Sequence, residues 1–230
     1  MIRHTFIQSL QLLQDDLLAM SAAVEKQIEE SIQALKKRDL KASERIAAKD
    51  SEIDRMRYEI EERCLQLFAT QNPMAGDLRT ITAALIIANE LERMGDYAEG
   101  ICKLAIKLGE EPPLKPFIDI PRMSDIAQSM LGRAMQAYVN RDAQAARQLW
   151  AEDDLLDDLY HQILRELLGY MIEQPMSVTR ATYLLWVAHN LERIGDRVSN
   201  IAERVIFMVT GHLEDAELRP AEAPPVPSGR

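Results

Sequence analysis

The sequence predicts an all-α protein: a tandem repeat of two antiparallel three-helix bundles, with six long helices. Three observations predict it. Apolar residues recur at steps of three and four along most of the chain, the period of an amphipathic helix. Leu, Ala, Ile, Met, Glu, Arg and Lys, all good or fair helix formers, dominate, while 230 residues hold only 9 glycines and 5% aromatics. The hexapeptide LERMGD at 91–96 returns as LERIGD at 191–196, a spacing of 100 with five of six residues identical.

The first helix is expected over 5–38, where Ile7, Leu10, Leu13, Leu17, Met20, Val24, Ile28, Ile32 and Leu35 form one stripe. Asp39 then caps a second helix over 40–70, because its side-chain oxygen can accept from first-turn amides. Asn72–Pro73 ends that helix, since the residue before proline avoids helical angles. A third helix over 75–108 stops at Gly109. Residues 110–121, EEPPLKPFIDIP, carry four prolines and read as a linker. Three further helices are expected at 122–140, 142–173 and 176–210, the last ending at Gly211. The tail 212–230, with four prolines and no periodicity, is expected to be disordered. The domains so drawn are 1–109 and 122–211, flanking the linker.

The two halves match beyond the hexapeptide. IQALKKRD (32–39) faces MQAYVNRD (135–142) at a spacing of 103, and Asp50 and Asp54 face Asp153 and Asp157 at the same spacing. AsnProMet (72–74) faces GlnProMet (174–176) at 102. An ordered series of matches is the signature of an internal repeat.

Net charge −10 argues against a nucleic-acid binder, which normally carries a basic face. The longest apolar runs, AALIIA (83–88) and YLLWVA (183–188), fall far short of the roughly 18 residues that a membrane span needs. The N-terminal stretch lacks the pattern of a secretory signal, so a cytoplasmic protein is expected, with Cys64 and Cys102 as buried thiols rather than a disulfide.

Chemistry is concentrated in acidic pairs four residues apart, which a helix places on one face. The first half has Asp50/Asp54 and Glu92/Asp96; the second has Asp153/Asp157 and Glu192/Asp196. Antiparallel neighbours can bring the two pairs of each half level. Gathered carboxylates repel and raise each other's pKa, and a bound cation removes that problem. Oxygen donors suit magnesium, calcium, manganese, iron, or zinc with added water. The competing reading is a solvated face with ordinary ion pairs to Arg93, Arg193 and Arg197. His189, three residues before Glu192, is a further candidate for that face. Each hexapeptide also puts a glycine in mid-helix, Gly95 or Gly195, which signals close packing or room for something bound. No glycine-rich phosphate loop, Cys-x-x-Cys or nucleophile elbow is present, so no catalytic or organic-cofactor residues are assigned.

Two LERxGD copies in register, their upstream acidic pairs, and NPMAGDLR before the first copy resemble the PhoU family over about residues 5–210. The resemblance implies a two-bundle helical protein that negatively regulates phosphate uptake and the phosphate-starvation (Pho regulon) response without being an enzyme. It implies contact with the ATP-hydrolysing subunit of the phosphate ABC transporter and with a sensor histidine kinase. Membrane contact would come only through those partners, and a homodimer is expected. It also implies multinuclear iron or zinc at the repeated motifs, with ligands from Asp50, Asp54, Glu92 and Asp96 and from Asp153, Asp157, Glu192 and Asp196; Asp77 is a weaker addition. The alternative function is a carboxylate-bridged metal protein, a ferroxidase or metal store. Ferritin-like sites need Glu-x-x-His, however, and here glycine stands three residues after each motif glutamate. The family's usual His after the motif Asp is replaced by Tyr97 and Arg197, and an arginine there is expected to weaken the second site. AsnIleAlaGlu is kept at 200–203 but is GlyIleCysLys at 100–103.

Overall fold

The computed structural model describes residues 2–214, with side chains from Thr5 onward. It contains α1 (Ile2–Lys37), α2 (Leu40–Ala47), α3 (Asp50–Gln71), α4 (Gly76–Leu108), α5 (Asp119–Asn140), α6 (Ala143–Gln148), α7 (Trp150–Glu173) and α8 (Val178–Thr210). No strand occurs among the described residues, and no described helix is long and apolar enough to cross a membrane. The residues from 215 onward, most of the expected tail, lie outside the described part. Residues 212–214 are placed, and Glu214 pairs with Arg147 of α6 at 2.5 Å.

The punctuation follows the local chemistry. Asp39 and Asp142 each accept a first-turn amide, from Ala42 and from Gln144 and Ala145. Before them Arg38 and Arg141 turn the chain at φ 57° and 53°. The amide of each aspartate closes onto Ala34 or Ala137, at 3.0 and 2.9 Å. Gly109 and Gly211 end α4 and α8 at φ 67° and 79°, where a side chain would be strained.

Six rods are present, but the middle rod of each half is broken into a short and a long helix. At the break the ladder tightens to i−3 at equivalent places: Lys49 N–H donates to Ile46 and Glu152 N–H to Leu149. Neither glycine nor proline marks it. The signal is acid in a first turn, Asp50 and Glu52 in α3 and Glu152 and Asp153 in α7, where the helix dipole favours negative charge. α5 also starts three residues earlier than expected. Pro121 sits in its first turn, where a missing N–H leaves no bond unmade.

In each half three rods pack mutually: α1, α2–α3 and α4, then α5, α6–α7 and α8. α4 and α8 form the most extensive contact of all and run antiparallel, with Glu90 meeting Arg197 and Lys107 lying over the Tyr183 ring. One buried apolar core, from Leu13 to Met208, runs through both halves. Cys64 and Cys102 are buried free thiols, each pushed up to about 12 by burial.

The motif glycines serve close packing. A Cβ on Gly195 would lie 2.4 Å from Leu156 Cδ2 and 2.9 Å from Asp153 Oδ1. A Cβ on Gly95 would meet Ile53 Cδ1 at 3.1 Å and Gln27 Oε1 at 3.3 Å. Glycine to alanine within a helix normally stabilises by roughly 0.5–1 kcal/mol. That sign is expected at Gly132, where nothing lies within 4 Å of the added methyl. At Gly195 overpacking reverses it: Gly195→Ala should lose about 1–3 kcal/mol in urea denaturation. Equal gains at both positions would contradict this packing.

Candidate functional site

The acidic pairs stand on facing rods. In the first half Asp50 and Asp54 leave the first turns of α3, and Glu92 and Asp96 leave the middle of α4. The rods bring them into one field. Burial raises Glu92, reinforced by Asp96 and Asp54. Burial raises Asp96, with Asp54 and Glu99 adding to it. Asp50 is raised by burial and by Asp96, Glu99 and Asp54, although the nearby Gln27 amide favours its charged form. Gln27 itself is buried, and neither amide atom completes a hydrogen bond.

The second half repeats the arrangement with deeper burial. Asp153 is raised to about 6, by burial first and then by Asp196, Asp157 and Asp154, against the pull of Ser199. The Ser199 hydroxyl donates to Asp153 Oδ2 at 2.7 Å, while Oδ1 is buried with no hydrogen-bond partner. Glu192 is raised to about 7 by burial, then by Asp196, with Arg193 opposing and Asp157 and Asp153 adding. Asp157 is raised by burial and by Asp196. Arg193 pairs with Asp196 at 2.6 Å, and His189 Nδ1 comes within 3.3 Å of Glu192 Oε2, so that histidine does join this face.

All eight carboxylates therefore belong to two acidic faces, four to each. Asp77 does not: it starts α4, fifteen residues before Glu92, or about 22 Å along the helix. Sequence reasoning missed Gln27, Glu99 and Ser199. Ser199 had a visible signal, seven residues after Glu192 on the same helical face.

The donor chemistry suits a hard or borderline cation. Every donor is oxygen, six of the eight carboxylates (Asp50, Glu92, Asp96, Asp153, Asp157 and Glu192) are raised by burial and by neighbouring carboxylates, and Asp153 keeps a buried oxygen unspent. As placed, no three His, Cys, Asp or Glu side chains among the described residues close into a chelating group. Side-chain rotation would have to complete it.

Tyr97, Gly100 and Arg197, three of the positions where the chain departs from the expected pattern, fall at the contact between the halves. Arg197 donates to Glu90 Oε2 of α4 at 3.2 Å, and Asn200 Nδ2 joins the same oxygen at 3.1 Å. Arg197 is thus turned to the neighbouring rod and neutralised there. Arg193 donates to the Tyr97 hydroxyl across the same contact. A Cβ on Gly100, which stands where the second copy has asparagine, would lie 2.9 Å from Asn190 Nδ2, so α4 and α8 approach closely there.

The raised carboxylates set a pH dependence. Folded Asp153 and Glu192 titrate near 6 and 7, against ordinary values of 3.8 and 4.5. Between those limits the folded state holds more protons than the unfolded state, so this contribution falls as pH rises through the window. Metal-free protein should lose stability from about pH 4 to 7 relative to an Asp153→Asn/Glu192→Gln variant. Parallel stability curves in chelator-treated denaturation series would contradict the shifts.

Comparison with known proteins agrees with this architecture. The PhoU domain model matches residues 17–105 and 120–205. A protein of Aquifex aeolicus named phosphate-specific transport system accessory protein PhoU homolog is 37% identical over 86% of this chain and 90% of its own length. The Caulobacter vibrioides protein of the same name is 39% identical, over 92% of this chain and 94% of its own. The crystal structure of PhoU from Pseudomonas aeruginosa shares 34% identity at a TM-score of 0.85, covering 90% of this chain and 100% of that one. That of the phosphate transport system regulatory protein PhoU from Streptococcus pneumoniae shares 30% at 0.86, covering 91% and 99%. On sequence and fold alike, this chain belongs to the PhoU domain family.

Proposed function

We propose that this protein is a cytoplasmic, non-enzymatic negative regulator of phosphate uptake and of the phosphate-starvation response. It acts as an adaptor between the ATPase subunit of the phosphate transporter and a sensor histidine kinase, and works as a homodimer. The observation that carries this reading is the near full-length match to relatives named as accessory proteins of phosphate-specific transport. The two acidic faces support it, because a repeated fold offers two similar docking surfaces. Iron or zinc would be held by Asp50, Asp54, Glu92 and Asp96 and by Asp153, Asp157, Glu192 and Asp196. Bound there, a cation would supply positive charge that relieves the mutual repulsion and ties α3 to α4 and α7 to α8.

Capture of the tagged protein from phosphate-replete cells, in buffer without chelator, tests both parts. The ATPase subunit and the kinase are expected among the captured proteins, and iron or zinc in elemental analysis. Absence of both proteins under mild cross-linking would remove the adaptor. A preparation free of transition metal that also fails to take up added iron or zinc would remove the metal.

A further inference from the structure

A cleft of about 630 Å³ lies between α1 and α2 in the first half. Lys26, Lys37, Arg45 and Lys49 line it. Its acids are Glu29, Glu30 and Asp39. Glu30 lies 3.9 Å from Lys26 and 3.5 Å from Lys49, and Asp39 is occupied in capping α2. Lys37 and Arg45 are exposed and form no ion pair with any described residue.

The repeat provides an internal control. At the spacing of 103 that pairs the caps Asp39 and Asp142, the four cations face Ser129, Asn140, Gln148 and Glu152. The same fold is built in the second half with none of these charges, so folding does not demand them. They also run against a net charge of −10. On α1 alone the cations are eleven positions apart, Lys26 to Lys37, about 16 Å. A single small anion is much shorter than that, whereas a polypeptide segment with spaced carboxylates is not.

We propose that the α1–α2 cleft docks an acidic segment of a partner protein, with Lys37 and Arg45 as its main contacts. This does not rest on the acidic faces or on any bound metal. Charge complementarity of this kind speeds encounter and fixes register, and it weakens with salt.

The probe is a fluorescein-labelled helical peptide with glutamate at every fourth position over about three turns, matching the span of the cations. Fluorescence anisotropy with the full chain should show saturable, salt-sensitive binding. Lys37→Asn/Arg45→Gln installs the residues that the second half already carries, so the fold is expected to persist by circular dichroism. It should weaken binding at least about tenfold. Arg122→Asn/Arg165→Gln removes the same charge from the second half and should leave binding within about twofold. Failure of the native chain to bind, equal losses in both variants, or displacement of the peptide by about 1 mM inorganic phosphate would overturn the proposal. The last result would assign the cleft to a small anion instead.

Discussion

Leu91→Asp is expected to abolish the folded state at 25 °C. Leu91 is fully buried at the heart of α4. Removing a buried leucine side chain costs about 2–5 kcal/mol. Burying an unpaired carboxylate adds several kcal/mol more. Together these reach the whole stability of an ordinary domain, about 5–15 kcal/mol. The loss should not stop at the first half. α4 packs most extensively on α8, and the core is continuous, so an unfolded α4 uncovers the inner face of α8. Far-UV circular dichroism should therefore fall across both halves in one transition. Retention of half the helical signal, with a cooperative melt of its own, would show two independent bundles. Asp96→Lys, at an exposed position on the same helix, should keep the full signal.

Where the structure was legible in the sequence, the cause was local. The cap Asp39 and the stops Asn72, Gly109 and Gly211 act through one residue and its nearest amides, and they could be placed in advance, whereas Asp142, expected as the first residue of a helix, caps α6 in the same way. The start of α5 was misplaced because prolines were counted without asking which amide each removes. The breaks after Ala47 and Gln148 hid inside continuous apolar periodicity, although the acids that follow them are a start signal. The carboxylate pairs were legible from four-residue spacing alone. Their raised pKa values were not, because burial is the largest cause and depends on packing. Gly95 and Gly195 announced close contact without saying with what. Arg197 was read only as a charge beside the second site, and its role in joining the two halves was not legible. Its partner Glu90 is 107 residues away, on a rod that only the packing of α4 against α8 brings near.

The other large effect is physiological. A regulator that binds two partner states equally shifts nothing, and swinging an equilibrium from 1:99 to 99:1 takes about 5.5 kcal/mol of preference. An adaptor must therefore hold one state of the kinase when phosphate is plentiful, and losing it should release that state entirely. Deletion of the gene is expected to turn on the phosphate-starvation genes in phosphate-rich medium. Asp96→Lys/Asp196→Lys should behave like the deletion while keeping its helices, because both residues belong to the acidic faces rather than the core. The direct measurement is transcription of those genes in the deletion strain grown in high phosphate. High expression, returned to the basal level by the native gene but not by the charge-reversed one, is the expected result. Silent genes and normal phosphate uptake in the deletion strain would contradict a regulatory role.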